Sequence, residues 1–116
     1  MENYGFRKLI IWQKSMDIIS DIYKMTKSFP KEEIFALTSQ MRRAAVSIPS
    51  NIAEGTSRKT KNDYQHFMAI TRGSSLELET QIEIALRLRY CTEAQSSPLL
   101  EKIHEIQKIL NKLSLS

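Results

Sequence analysis

One cysteine, three glycines and three prolines are all that the 116 residues contain, and each scarcity excludes something. A lone Cys91 cannot close an internal disulfide and offers at most one thiolate to a metal, which fits a reducing, cytoplasmic setting. Gly5, Gly55 and Gly73 are isolated, so neither a phosphate-binding loop nor a dinucleotide fingerprint can be written. So few turn formers, with few consecutive β-branched residues, argue against a turn-rich β fold. No run approaches the roughly 18 apolar residues of a membrane span. The first eight residues lack the apolar stretch and small-residue cleavage site of a signal peptide. The expectation is a soluble protein with no membrane association.

Catalytic and metal-binding patterns are equally sparse. His66 and His104 stand apart from any HExxH, CxxC or acidic pair at metal spacing, and read as ordinary surface or bundle histidines. Ser47, Ser50 and Ser74 have no GxSxG setting, and Cys91 has no evident basic partner. Glu77, Glu79 and Glu83 read as a solvated helix face, with Arg87 four residues beyond Glu83. No catalytic residue, metal or cofactor is expected.

What the chain does have is helix-forming Leu, Ile, Met, Lys, Glu and Gln throughout, arranged in four periodic segments. The first spans about Lys8 to Ser28. Trp12, Met16, Ile19 and Tyr23 recur at i, i+4, i+7 and i+11, and a second line, Ile11, Ile18, Ile22 and Met25, is displaced by about 100 degrees. Phe29-Pro30 ends this segment, and Pro30 with Glu32 and Glu33 opens the next. Its buried stripe is Ile34, Leu37, Met41, Ala45, Ile48 and Ile52. Pro49 within that stripe breaks the helix near Ser47 or kinks it.

Gly55 gives a stop for the second segment, and Thr60-Lys61-Asn62-Asp63 has the arrangement of a capped N-terminus. The third segment carries Tyr64, Phe67, Met68, Thr71, Ser75, Leu78, Ile82 and Ala85 on one face to about Tyr90, with Ile70, Ile84 and Leu88 off it. In the fourth, Ser97 is placed to cap and Pro98 to occupy the first turn, ahead of Leu100, Ile103, Ile106, Leu110 and Leu113. Four such segments on short links predict one all-α domain over residues 1–116, an antiparallel up-and-down four-helix bundle. The apolar surplus on the first and third helices, Ile11, Ile18, Ile22, Ile70, Ile84 and Leu88, predicts a subunit interface.

Charge is uneven along the chain. Seventeen basic residues face thirteen acidic ones, for a net +4. Residues 39–75 carry six basic and two acidic side chains, whereas the thirds before and after carry six and five, and five and six. Arg42, Arg43, Arg58, Lys59, Lys61 and Arg72 make up that excess and predict a basic surface for a polyanion, most readily RNA. The bland alternative is a solubilising loop. No aromatic residue is interleaved with these positions in sequence, so recognition by charge and shape is expected.

Several stretches carry a resemblance. Leu9-Ile10-Ile11-Trp12-Gln13-Lys14, Ile22-Tyr23 with Phe29-Pro30, the run from Leu37 to Gly55 and the run from Gly73 to Gln81 resemble the bacterial four-helix proteins encoded in intervening sequences of 23S ribosomal RNA. The likeness covers nearly the whole chain, and the stretch from Gln40 to Gly55 is the most specific. It implies an antiparallel bundle assembled as a ring-like homopentamer, a basic surface with a role in binding nucleic acid, and a second helix that runs through Pro49 with a kink. Similar proteins include the accessory variability determinant of diversity-generating retroelements, which binds a reverse transcriptase and RNA. The alternative function is therefore a protein-interaction scaffold or accessory subunit. The polar positions Ser47, Asn51, Glu54, Glu77 and Gln81, with Arg43 undecided, read as hydrogen-bonded contacts between helices or subunits, for example through an Arg43–Glu77 or Arg72–Glu54 pair.

Overall fold

A computed structural model describes the backbone of residues 5–115 and side chains through residue 113. Four α-helices follow a short 3-10 turn at Gly5–Lys8: α1 (Ile10–Thr26), α2 (Leu37–Thr56), α3 (Lys61–Arg87) and α4 (Glu93–Leu115). Each helix packs on its neighbours in sequence, and α4 closes the ring of contacts onto α1. This is the antiparallel four-helix bundle expected from four amphipathic segments on short links.

The first helix buries fully the second of its two apolar lines rather than the one with its bulkiest residues. Ile11, Ser15, Ile18, Ile22 and Met25 face the core, and Ile18 and Ile22 are fully enclosed. Trp12 and Ile19 are half-buried, while Met16 and Tyr23 are 40% and 39% exposed. Ile11, Ile18 and Ile22 are therefore core residues of their own bundle and cannot serve as a subunit interface. Both lines satisfy helical periodicity, and the buried one includes Ser15. Its hydroxyl bonds the Trp12 carbonyl at 2.7 Å, so a small residue that looks polar sits buried at no hydrogen-bond cost.

Helix α2 starts at Leu37, later than Pro30 suggested, because a separate 3-10 turn (Lys31–Glu33) intervenes and Ala36 has non-helical dihedrals. The Glu33 carboxylate accepts from the Leu37 backbone N–H at 3.3 Å. Ile34 consequently lies outside the helix and is 45% exposed, whereas Met41, Ala45, Ile48 and Ile52 are buried as expected. The helix continues through Pro49 to Thr56 without a break, with the proline ring buried.

Helices α2 and α3 form the most extensive contact. Small residues permit it: Ala44, Ala45 and Gly55 on α2 and Thr71, Ser74 and Ser75 on α3 are all buried. Thr71 and Ser75 donate to the carbonyls of Phe67 and Arg72 in their own helix, at 2.9 and 2.7 Å. Thr60 caps α3 by accepting from the Asp63 N–H at 3.1 Å, as its sequence pattern predicts. The fourth helix opens earlier than Ser97. Thr92 and Gln95 form a reciprocal capping box, with bonds of 3.2 and 2.9 Å, which leaves Pro98 in the second turn. Leu99, Ile103, Ile106 and Leu110 then fill the core, with Leu100 and Leu113 packed at its edge.

Candidate nucleic-acid interface

Antiparallel packing divides the six basic positions. Arg58, Lys59 and Lys61 sit where α2 gives way to α3, hereafter the turn end, and all three are exposed. Arg42 lies about 20 Å from that end of α2, at 1.5 Å of rise per residue. Arg72 lies partway along α3, exposed. The structure thus groups Arg58, Lys59 and Lys61 at the α2–α3 connection, with Arg42 and Arg43 on α2 and Arg72 on α3 away from it.

The cluster gains members that the sequence could not place. The 3-10 turn with Arg7 and Lys8 packs on α2 and α1, and Trp12 at the start of α1 lines the same groove as Pro49 and Ala53. The Gln65 amide donates to the Leu113 carbonyl at 3.3 Å, which brings Lys112 on the last turn of α4 beside the first turn of α3. Arg7, Lys8, Arg58, Lys59, Lys61 and Lys112 thus converge on the turn end. Asp63 and Glu54 flank the same α2–α3 connection. Glu54 is paired to Arg58 at 2.6 Å, while the Arg58 guanidinium lies 4.8 Å from the Phe67 ring centre. That exposed ion pair contributes little to stability but fixes where the guanidinium lies.

Aromatic rings do accompany the arginines, although they are not adjacent in sequence. Arg42 rests 4.6 Å over Tyr23 and donates to the Thr26 hydroxyl at 2.9 Å. Arg43 is exposed and forms no ion pair among the described residues. It lines an open groove of about 500 Å³ between α2 and α3, together with Phe35, Gln40, Ser47, Ser74 and Glu77.

The polar residues of the Gln40–Gly55 and Gly73–Gln81 stretches form a seam along that same contact. Ser47 and Ser74 share a hydrogen bond of 2.8 Å across the two helices. The Asn51 amide donates to the Ser47 carbonyl and hydroxyl at 2.8 and 2.9 Å. Gln81 donates to Glu77 at 3.5 Å, and its own Oε1 is buried without a partner. Ser47, Asn51, Glu77 and Gln81 accordingly make contacts within one chain. Glu54 pairs with Arg58 rather than Arg72, and Arg43 and Glu77 share the groove without forming an ion pair.

On the outer side of α1 and α2, Trp12, Met16, Ile19, Val46 and Pro49 line an apolar groove of about 340 Å³. Ile70, Ile84 and Leu88 of α3 are 38%, 41% and 50% exposed, as expected for residues off its buried face. Among the described residues, no group of three or more His, Cys, Asp and Glu is arranged to hold a metal ion, and no helix is long and apolar enough to cross a membrane. Burial pushes the Cys91 thiol up from its ordinary value, away from nucleophilic character.

The arrangement defines a small all-α four-helix bundle. The family model for the 23S rRNA-intervening sequence protein matches residues 7–112, and the chain belongs to that family. A crystal structure of a protein of unknown function from the S23 ribosomal protein family of Bacteroides thetaiotaomicron superposes with a TM-score of 0.83. It is 24% identical and is similar over 92% of this chain and 100% of that one, a likeness that carries the fold. No curated protein matches the sequence.

Proposed function

We propose that the protein is a non-enzymatic homo-oligomer that binds structured RNA through its turn end. The observation that carries this reading is the convergence of Arg7, Lys8, Arg58, Lys59, Lys61 and Lys112, drawn from three separate parts of the chain, on one end of the bundle. Such a cluster neutralises phosphates and releases their counterions, giving an affinity that depends on salt more than on sequence. Repeating the cluster around an oligomer adds avidity without any new type of contact.

Self-association has its support in the outer groove of α1 and α2, where Trp12, Met16, Ile19 and Val46 leave apolar surface uncovered. Monomers seldom keep such surface in water. This face takes the place of Ile11, Ile18 and Ile22, and Ile70, Ile84 and Leu88 remain available to a second contact. The pentameric ring implied by the family resemblance predicts a mass of five 13.4 kDa chains.

The test is a gel-shift titration against ribosomal RNA fragments at two salt concentrations, with light scattering on the same samples. Substituting Arg58, Lys59 and Lys61 by Ala is expected to weaken binding strongly and to flatten its salt dependence, with the mass unchanged. Unchanged affinity at low salt overturns the RNA reading. A monomer at micromolar concentration moves the apolar groove to a different protein, and the scaffold reading then takes precedence.

A further inference from the structure

We propose that the groove between α2 and α3 holds an unstacked nucleotide of single-stranded RNA, with Phe35 as the stacking surface and Arg43 as the phosphate contact. This rests on the RNA-binding reading above and adds a second site to it. Phe35 is 94% exposed, the most exposed large apolar residue in the described chain. It sits outside any helix, in the turn before α2, so nothing in the fold requires an aromatic ring there. It shares the groove with Arg43, whose guanidinium has no carboxylate partner among the described residues.

A nucleotide presents a flat π face, an anionic phosphate and a base edge with donors and acceptors, and the groove offers a counterpart to each. Phe35 supplies a ring to stack on, and stacking tolerates any base. Arg43 supplies the cation, with Arg42 on the same flank held over Tyr23. Gln40 and Glu77 supply amide and carboxylate groups, the latter steadied by the Gln81 amide at 3.5 Å. A volume of about 500 Å³ lies within the usual range for small-molecule sites, and the groove is open, as the passage of a strand needs. Sequence-specific RNA recognition commonly targets such unpaired bases, stacked on aromatic or guanidinium planes.

A contact with another copy of the chain is the rival occupant. Phe35 also borders a neighbouring groove with Tyr23, Ile34 and Val46, which suits such a contact, whereas the hydroxyls, amide, carboxylate and guanidinium of the α2–α3 groove favour the nucleotide, since the cores of protein interfaces are depleted of charged side chains.

The experiment measures fluorescence anisotropy of two labelled probes, a 12-nucleotide RNA without self-complementarity and a 12-base-pair RNA duplex, with light scattering on each protein. Phe35→Ala is expected to lower affinity for the single strand about tenfold and leave the duplex unchanged, Phe35→Trp to restore it, and Arg43→Ala to weaken the single strand several-fold. Exposure of Phe35 makes its replacement safe for folding. An unchanged single-strand affinity overturns the proposal, as does an equal loss on both probes. A fall in mass with that equal loss reassigns Phe35 to contact between copies. If the native protein binds neither probe, the RNA reading fails and this site with it. If it binds the duplex but Phe35→Ala leaves the single strand untouched, only this site is lost.

Discussion

The two ends of the bundle solve chain reversal in opposite ways. At the turn end, α2 and α3 approach so closely at Gly55 that an added Cβ would lie 2.8 Å from Phe67 Cβ and 2.8 Å from Met68 Cε. Glycine is there because space demands it, in an ordinary helical conformation. At the far end, α3 closes with Tyr90 N–H bonded to the Ala85 carbonyl at 2.9 Å and Arg89 N–H to Leu86 at 3.0 Å, a Schellman motif. Arg89 there has φ of 62°, where glycine is the usual residue. The turn end spends its glycine on packing, whereas the far end tolerates backbone strain. The charge follows the same division. Arg7, Lys8, Arg58, Lys59, Lys61 and Lys112 lie at the turn end with Glu54 and Asp63, while Lys24, Lys27, Lys31, Arg87 and Arg89 at the far end are interspersed with Glu32, Glu33 and Glu93.

The widest expected difference between the ends is in RNA affinity. Replacing Arg58, Lys59 and Lys61 by Ala should weaken binding roughly a hundredfold or more at low salt and reduce the slope of log affinity against log salt by about three. Replacing Lys31, Arg87 and Arg89 by Ala should change affinity by less than about threefold. Equal losses from the two triple variants, read in one titration series, would erase the distinction between the ends.

Next in size is Gly55→Ala. Phe67 Cβ belongs to a fixed helix and cannot swing aside as the Met68 methyl can. Overpacking should outweigh the gain in helix propensity and cost about 1 to 2 kcal/mol, seen as a lower urea midpoint with an unchanged slope. Gly73→Ala is the control, because nothing lies within 4 Å of its added Cβ. That variant should stabilise by about 0.5 to 1 kcal/mol.

Much of this architecture was legible in the residues. The Thr60 cap, the buried face of α3 and most of the core stripes of α2 and α4 follow from capping chemistry and period alone, Ile34 and Leu99 being the exceptions. The inner side of α1 did not, because a stripe interrupted by Ser15 competes with one bearing Trp12 and Tyr23, and periodicity weighs both alike. Ser15 is buried because its hydroxyl finds a carbonyl within its own helix, and that bond is invisible before the helix is built. The basic cluster was half legible. Arg58, Lys59 and Lys61 adjoin one another, but Arg7 and Lys8 belong to a third of the chain with almost balanced charge, and Lys112 to one with a slight acidic excess. Phe35 gave no signal, since its exposure depends on α2 starting at Leu37.

The caps test whether the ends are matched where their chemistry is the same. Thr60→Ala and Thr92→Ala each remove one side-chain acceptor from a helix N-terminus and should each cost about 1 kcal/mol. A difference well beyond that, by chemical denaturation, would mean that one end melts separately. Arg89→Gly should act in the other direction, relieving the positive φ and stabilising the far end by about 0.5 to 1 kcal/mol.

The smallest effect belongs to neither end. Midway along the α3–α4 contact, Glu79 accepts from the Gln107 amide at 2.9 Å and is bonded to His104 at 2.9 Å. The Gln107 bond first, then the His104 bond, hold the Glu79 carboxyl below its ordinary value. Folding therefore favours the ionised form, so its contribution is complete above the unfolded carboxylate pKa and is lost as pH falls through the lowered folded value. Carbon-detected NMR titration should find Glu79 ionising below an ordinary glutamate, and Gln107→Leu should move it back up. An ordinary value in the native protein would show that this clasp is too weakly formed to couple the two helices.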